Sequence, residues 1–370
     1  MSNLHSNIHP QALKDQLDMA KRQGLSDSAI LKHWLHREEV PFVLNGSNAA
    51  LRNAILVGID VEWWEHDDSH ITEIGVSILD PCFVLDRSSA WTVLKFSINH
   101  HVRIKSTAHM VNSDFCAGFP EKFQFGKTTF VDIDEAKDML RHSFLRFDAR
   151  GQPRPTIFVG HAVQNDVKMI KERFGLDIAA LGAVVGTIDT QVLAVENCIC
   201  PVGKKSKLSQ LLQKFYINEP YLHNGGNDVV CTMITTLLTL FPYVPDSNSV
   251  AYEALKKHLQ TSGKIAYGSE VFCITCASSR HTAEYCRAIV RSEHCASTPK
   301  RSTMANSHKT EKCLEVMKTA ARASSESSGS SSVSLRYPLP CAYCIESTDP
   351  NRHELEFAYG HREAECVYKS

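Results

Sequence analysis

Asp60 and Glu62 stand two residues apart at the end of the apolar run AILVGIDVE. Residues at this spacing on a strand point to the same face, so the two carboxylates meet. They repel unless a cation lies between them; taken alone, the pair also reads as two exposed acids at a strand end. A second acid lies in FVGHAVQNDVKMI, where an apolar strand ends and Asp166 opens a helix. Asn and Asp also favour such positions simply as helix caps. A third lies in YLHNGGNDVVCTMITTLL, where His223 precedes Asp228 by five residues at the mouth of an apolar helix. An imidazole titrates near neutrality, and hard divalent cations take oxygen ligands. In combination, an acid pair on a strand, an acid after a later strand and an acid behind a His are harder to dismiss than any one of them.

Periodicity outlines the elements that must position these side chains. Residues 54–61 read as a buried strand, ITEIGVSILD as a second strand and AWTVLKFSI as a third. Residues 100–130 read as long and irregular. A helix around 134–146, a strand TIFVG, a helix from about 166, a short strand ending near GTIDT and helices near 207–215 and 227–241 follow. Strands that come first and then alternate with helices predict an α/β fold, a mixed β-sheet flanked by helices. Residues 1–50 read as an N-terminal helical appendage, in which LSDSAILKHWLHREE has Ser caps and helical apolar spacing. Residues 51–262 form the main domain.

The order of the acids resembles the DEDDh group of 3′-to-5′ exonucleases on the ribonuclease H-like fold. The segments IDVEWWE, ITEIGVSILD, HHVRIKSTAHMVNSDF, FQFG, VGHAVQNDVKMI and LHNGGNDVVCTMITTLL look like one fungal branch of that group. That branch includes a yeast protein linked to an mRNA-export helicase and is related to the exonuclease of the quelling pathway. The resemblance implies that Asp60, Glu62, Asp166, His223 and Asp228 are catalytic. The four acids would hold two Mg2+ or Mn2+ ions, which clamp the attacking and leaving oxygens of a phosphodiester. His223 would be the general base, with Gly225 and Gly226 letting its loop swing toward the metals. The run EWW replaces the small Thr-Thr-Gly run of proofreading exonucleases. Trp63 or Trp64 would stack on a terminal base or pack against the helical layer. Arg103, Lys105 and the run GKKSK would contact phosphates or form solvated surface.

Past residue 262 the composition changes. Cys273, Cys276, His281 and Cys286 are separated by two, four and four residues, a spacing similar to the zinc knuckle of retroviral nucleocapsids and many RNA-binding proteins. Three thiolates and an imidazole satisfy tetrahedral zinc, and so short a segment needs the ion to fold. Ala277 and Arg280 stand where a knuckle usually has glycines, so the compact turn is expected to differ. Phe272 or Tyr285 would offer a stacking surface for single-stranded bases. Residues 263–290 thus form a CCHC knuckle, and 291–336 a disordered Ser-rich linker. Cys341, Cys344, His361 and Cys366 at 337–370 form a candidate second zinc site, with His353 as a competing ligand and unliganded thiols as the alternative. The fold class therefore includes small C-terminal zinc modules on a flexible tail. Cys198, Cys200 and Cys231 are expected in or near the core.

Forty basic residues balance forty-one acidic ones, so whole-chain charge supports no nucleic-acid binding and any positive surface must be local. The N-terminal stretch has no apolar h-region and no run is long enough to span a bilayer. An intracellular protein, cytoplasmic or nuclear, is expected, with its thirteen Cys reduced or metal-bound. The expected activity is metal-dependent 3′-to-5′ hydrolysis of single-stranded nucleic acid, RNA ahead of DNA. The zinc modules would hold the substrate or a ribonucleoprotein partner. The rivals are a catalytically silent RNA-binding protein on the same fold and an adaptor whose zinc modules grip protein.

Overall fold

The computed structural model describes residues 8–41, 46–241 and 247–327. The chain divides into two units, Met1–Lys312 and Cys313–Ser370. In the first, α1 (Pro10–Arg22), α2 (Asp27–Trp34) and α3 (Ser47–Arg52) precede β1 (Ile55–Trp64), β2 (Asp67–Leu79), α4 (Ala90–Leu94), β3 (Ile98–Ile104) and β4 (Thr128–Val131). Then come α5 (Ile133–Phe144), β5 (Thr156–Gly160), α6 (Gln164–Phe174), β6 (Val184–Asp189), α7 (Thr190–Glu196), α8 (Leu208–Lys214), α9 (Gly225–Leu240), α10 (Asn248–Ser262) and α11 (Glu293–Ser297). The described part of the second unit is Cys313 and α12 (Leu314–Ser327).

The sheet order is β4-β3-β2-β1-β5-β6. β2 runs antiparallel to both β1 and β3, while β5 is parallel to β1 and β6. Alternation along β1 sends Ile55, Val57, Ile59 and Val61 into one core with α5 and α6, and Leu56, with Ala54 just before the strand, into another with α9. Both faces are therefore covered, which is why β1 reads as a nearly continuous apolar run.

α9 is buried on nearly every side, and it lies unusually close to the sheet. A Cβ at Gly75 of β2 would fall 1.8 Å from the Gly225 carbonyl oxygen, and one at Gly226 would meet the ring of Phe123 at 2.6 Å. These glycines let the start of α9 rest on the strands; Gly225 and Gly226 are the first packed turn of a helix, not the hinge expected for the His223 loop.

The N-terminal helices belong to the same layer. Leu13, Leu17, Ile30, Leu31 and Trp34 share a core with α9, and the Trp34 indole donates to the Ala54 carbonyl at 2.7 Å. Burying such side chains contributes about 1.5–3 kcal/mol each, which makes this segment part of the core. The stretch AWTVLKFSI also differs from expectation. Ser89 and Thr92 form a capping box that starts α4, and the third strand begins only at Ile98.

The expected linker is structured over its first part. Ser292 is buried, its amide donates to the Ala305 carbonyl at 2.7 Å and its hydroxyl caps α11. The approach to Cys273 is likewise fastened down. Phe130 and Ser269 exchange backbone hydrogen bonds at 2.9 and 3.2 Å, Lys127 pairs with Glu270 at 2.8 Å, and Phe272 packs on Phe130 with ring centroids 5.2 Å apart. The Cys/His segment is thus attached to the exposed edge of β4. The candidate second zinc residues, Cys341, Cys344, His361 and Cys366, lie outside the described residues. Cys200 and Cys231 are buried, but Cys198 is exposed on a left-handed turn, φ 58°. Among the described residues no helix is long and apolar enough to cross a membrane.

Candidate active site

β1 carries Asp60 opposite Gly75 and Glu62 opposite Glu73 of β2. Both acids are half-buried at the end of the strand, where the pairing register then becomes irregular at Trp63 and Trp64. Asp166 does not cap α6; it lies in the first turn, 5% exposed, and accepts the Val61 amide at 3.1 Å. Asp228 is not the helix cap either. Asn224 fills that role by accepting the Asn227 amide at 3.0 Å, which leaves the Asp228 carboxylate to turn toward the sheet. Asp228 Oδ2 accepts the His223 amide at 2.9 Å, while Oδ1 is buried without a hydrogen-bond partner. Glu62, His223 and Asp228 each place one ligand atom within 4.8 Å of the others.

Crowding these acids in a poorly hydrated place makes their charged forms costly. Burial pushes the Asp166 carboxyl up to about 7 and the Asp228 carboxyl up to about 8, with Glu73 and Glu219 adding repulsion at Asp228. Burial, followed by repulsion from Asp228, raises Asp60 and Glu62 well above the usual carboxylate range. Such a set is most readily ionised around a cation. The partnerless Asp228 oxygen and the all-carboxylate donor set fit a hard divalent metal.

His223 is exposed and sits in the left-handed region, φ 62°. The substrate-binding expectations fare differently. Trp64 is 1% exposed and packs beside His66, so it belongs to the core. Trp63 is half-buried against the α5–α6 side of the sheet. Arg103 is buried, ion-paired with Glu121, bonded to the Ala108 carbonyl and set over the Phe130 ring. Its guanidinium is taken up by contacts within the fold. Lys105 pairs with Asp132 at 2.8 Å.

Three supports escaped the sequence reading. Glu73 is buried across from Glu62 and pairs with His101 at 2.8 Å, and His101 in turn meets Thr128 at 2.8 Å. Asp189 accepts the Ala162, Val163 and Gln191 amides and so sets the entry to α6. Glu65 gathers a loop. Acids at strand positions that otherwise read as apolar were the available signal for Glu73.

At the Cys/His segment, Cys273, Cys276, His281 and Cys286 each place a ligand atom within 4.8 Å of the rest. Cys276 Sγ lies 3.3 Å from His281 Nε2. Burial pushes the Cys273 thiol up, but the Cys276 amide and the Cys286 and Cys276 thiols outweigh it and bring it to about 7. Ala277 adopts φ 63°, so the compact turn is retained with alanine in the glycine conformation. Of the two stacking candidates, Phe272 is buried and Tyr285 is 70% exposed.

Residues 55–239 match the DEDDh_C family, described as "DNA polymerase III subunit epsilon-like, C-terminal domain", across half of the chain. Two Saccharomyces cerevisiae proteins are similar at 24% identity. They are the uncharacterized protein YDR514C, over 50% of this chain, and "Good for full DBP5 activity protein 2", over 60%. The chain spans 40% of the length of each. Among solved structures, exonuclease I aligns over 50% of this chain and 40% of its own at 13% identity and a TM-score of 0.32. E. coli exonuclease I in complex with a dA16 oligonucleotide aligns over the same shares at 12% identity and TM-score 0.32. With its ordered acids gathered at the end of a mixed sheet and its central half matching that family, the chain belongs to the DEDDh exonuclease superfamily.

Proposed function

We propose that the protein is a metal-dependent 3′-to-5′ exonuclease acting on single-stranded nucleic acid, RNA in preference to DNA. One observation carries this reading: Asp60, Glu62, Asp166 and Asp228 converge with raised carboxyl pKa values, and the His223 ring stands beside Glu62 and Asp228. Divalent cations bound there supply charge opposite the attacking and leaving oxygens of the phosphodiester. Asp60 and Glu62 would hold cations from the strand, and Asp166 and Asp228 from the two helix starts. His223, exposed at the rim, takes the proton of the attacking water on an imidazole nitrogen.

The four ligands at 273–286 would hold zinc. The knuckle would bind single-stranded bases through Tyr285, and its attachment to β4 would fix it relative to the pocket instead of leaving it on a tether. Digestion of 5′-labelled and 3′-labelled RNA and DNA in Mg2+ or Mn2+ tests the reading. Loss from the 3′ end is expected, faster on RNA. Wild-type protein that degrades nothing beyond Asp60→Asn would instead indicate a silent RNA-binding or adaptor protein.

A further inference from the structure

Glu65 directly follows β1 and is 4% exposed. Its carboxylate accepts four successive amides. Oε1 takes those of Ser113 and Asp114, each at 2.7 Å; Oε2 takes Phe115 at 2.8 Å and Cys116 at 3.1 Å. Inward-turned consecutive amides make an anion-binding concavity, and here the anion is the protein's own side chain. Glu65, His66 and Asp114 also group closely enough to suggest a cation site. With both Glu65 oxygens engaged by amides, the group serves the loop instead.

Asn112 ties the same loop to the strand end. The Glu65 amide donates to Asn112 Oδ1 at 2.9 Å, and Asn112 Nδ2 donates to the Trp63 carbonyl at 2.8 Å. The Gly118 amide returns to the Asn112 carbonyl at 3.0 Å and closes the turn. The next residue reaches the active site: the Phe119 amide donates to the His223 carbonyl at 3.2 Å. Asn224 Nδ2 donates back to the Phe119 carbonyl at 2.9 Å, and the Phe119 and Tyr221 rings meet edge to face at 5.6 Å.

A histidine at φ 62° persists only where its surroundings over-determine it. Asp228 fixes the amide side of His223, and Phe119 fixes the carbonyl side. We propose that Glu65 is a positioning residue for His223: by gathering the amides of Ser113–Cys116 it anchors the loop whose Phe119 amide holds the His223 backbone in place. The catalytic consequence rests on the exonuclease reading; the mechanical linkage does not.

Two measurements on the full chain test the proposal. The first is hydrogen exchange in Glu65→Gln, in which a donor amide group replaces one acceptor oxygen. Faster exchange is expected at 112–119 and also at 221–224. Loosening confined to 112–119 overturns the linkage. The second is steady-state kinetics with Mn2+ and a labelled oligonucleotide. Glu65→Gln is expected to lower kcat by about tenfold or more, since small misplacements of a reacting group have large effects, with little change in KM. In a His223→Ala background the same substitution should change the rate by less than about twofold, the mark of two residues acting through one another. Equal losses in both backgrounds overturn the role. Asn112→Ser removes the loop's other tie to the strand end, the bonds to the Glu65 amide and the Trp63 carbonyl, and leaves the Glu65 carboxylate in place; it should give the same pattern and decides whether the loop positions His223 if Glu65→Gln does not fold. An inactive wild type would count against the nuclease reading, while the exchange result would still decide the linkage.

Discussion

The acid pocket and the Cys/His segment both collect four side chains of types that could hold a metal, but they are held together in opposite ways. Asp60, Glu62, Asp166 and Asp228 come from a central strand and two helices whose positions are set by two apolar cores. The frame of the pocket is packed by those cores and not by its ligands, and it crowds like charges. Cys273, Cys276, His281 and Cys286 lie within one short segment that has a turn closed from Ala277 to Cys273, a single 3-10 turn at Ala283–Tyr285 and little core beyond Phe130, Phe272 and Ala108. There the ligands must supply the cohesion themselves. On that footing, a core-built site should be strained without a cation, and a ligand-built site should be loose without one.

The largest expected effect lies at the pocket. Asp228→Asn should lower nuclease activity about a thousandfold, since a catalytic metal is worth several kcal/mol and each 1.36 kcal/mol is tenfold. The same substitution should raise the stability of the metal-free protein at pH 8. The sign follows from linkage. Asp166 and Asp228 titrate at about 7 and about 8 in the folded chain, well above the ordinary carboxylate range. Between the ordinary range and those values the native state holds more protons than the unfolded state. Metal-free stability therefore falls as pH rises through that window, and Asp228→Asn should flatten the fall. Thermal unfolding in a chelator from pH 5 to pH 8 reads this out. A wild-type melting temperature that rises over that interval would refute the strained-pocket account.

An intermediate effect separates the two regions directly. Stripping all metals should leave amide protection in β1 and β2 near the native level while exchange at 273–286 accelerates sharply. Equal loss in both regions would mean that the pocket, too, depends on its ions for shape.

The smallest effect concerns Ala277. Its left-handed backbone suits glycine better, so Ala277→Gly should strengthen zinc retention or local stability by about 1 kcal/mol. Competition against a zinc chelator measures it, and weaker retention would show that the turn is not under strain.

Much of this pocket was legible in the chain itself. Period-two spacing placed Asp60 and Glu62 on one face, and the apolar runs around them marked a strand buried on both sides. The order of acids and the His223–Asp228 spacing pointed to the family. The short Cys/His spacing marked a metal-ligand group because all four ligands lie close in sequence, where local geometry decides their approach. Capping was misjudged at Ser89, where a local hydrogen-bond box outcompeted the strand pattern of AWTVLKFSI. The phosphate role expected of Arg103 failed for a related reason, because exposure cannot be read from residue type.

What the amino-acid order determined by itself is the set of chemical groups and their local periodicity: which acids share a strand face, and which thiols are near neighbours. Only the tertiary structure decided that Gly75 would let α9 rest against β2, that Arg103 would be consumed by Glu121, and that Glu65 would gather amides almost fifty residues away. Those outcomes depend on long-range packing, where the backbone groups of one segment find acceptors on another, and no local pattern encodes which partner will arrive.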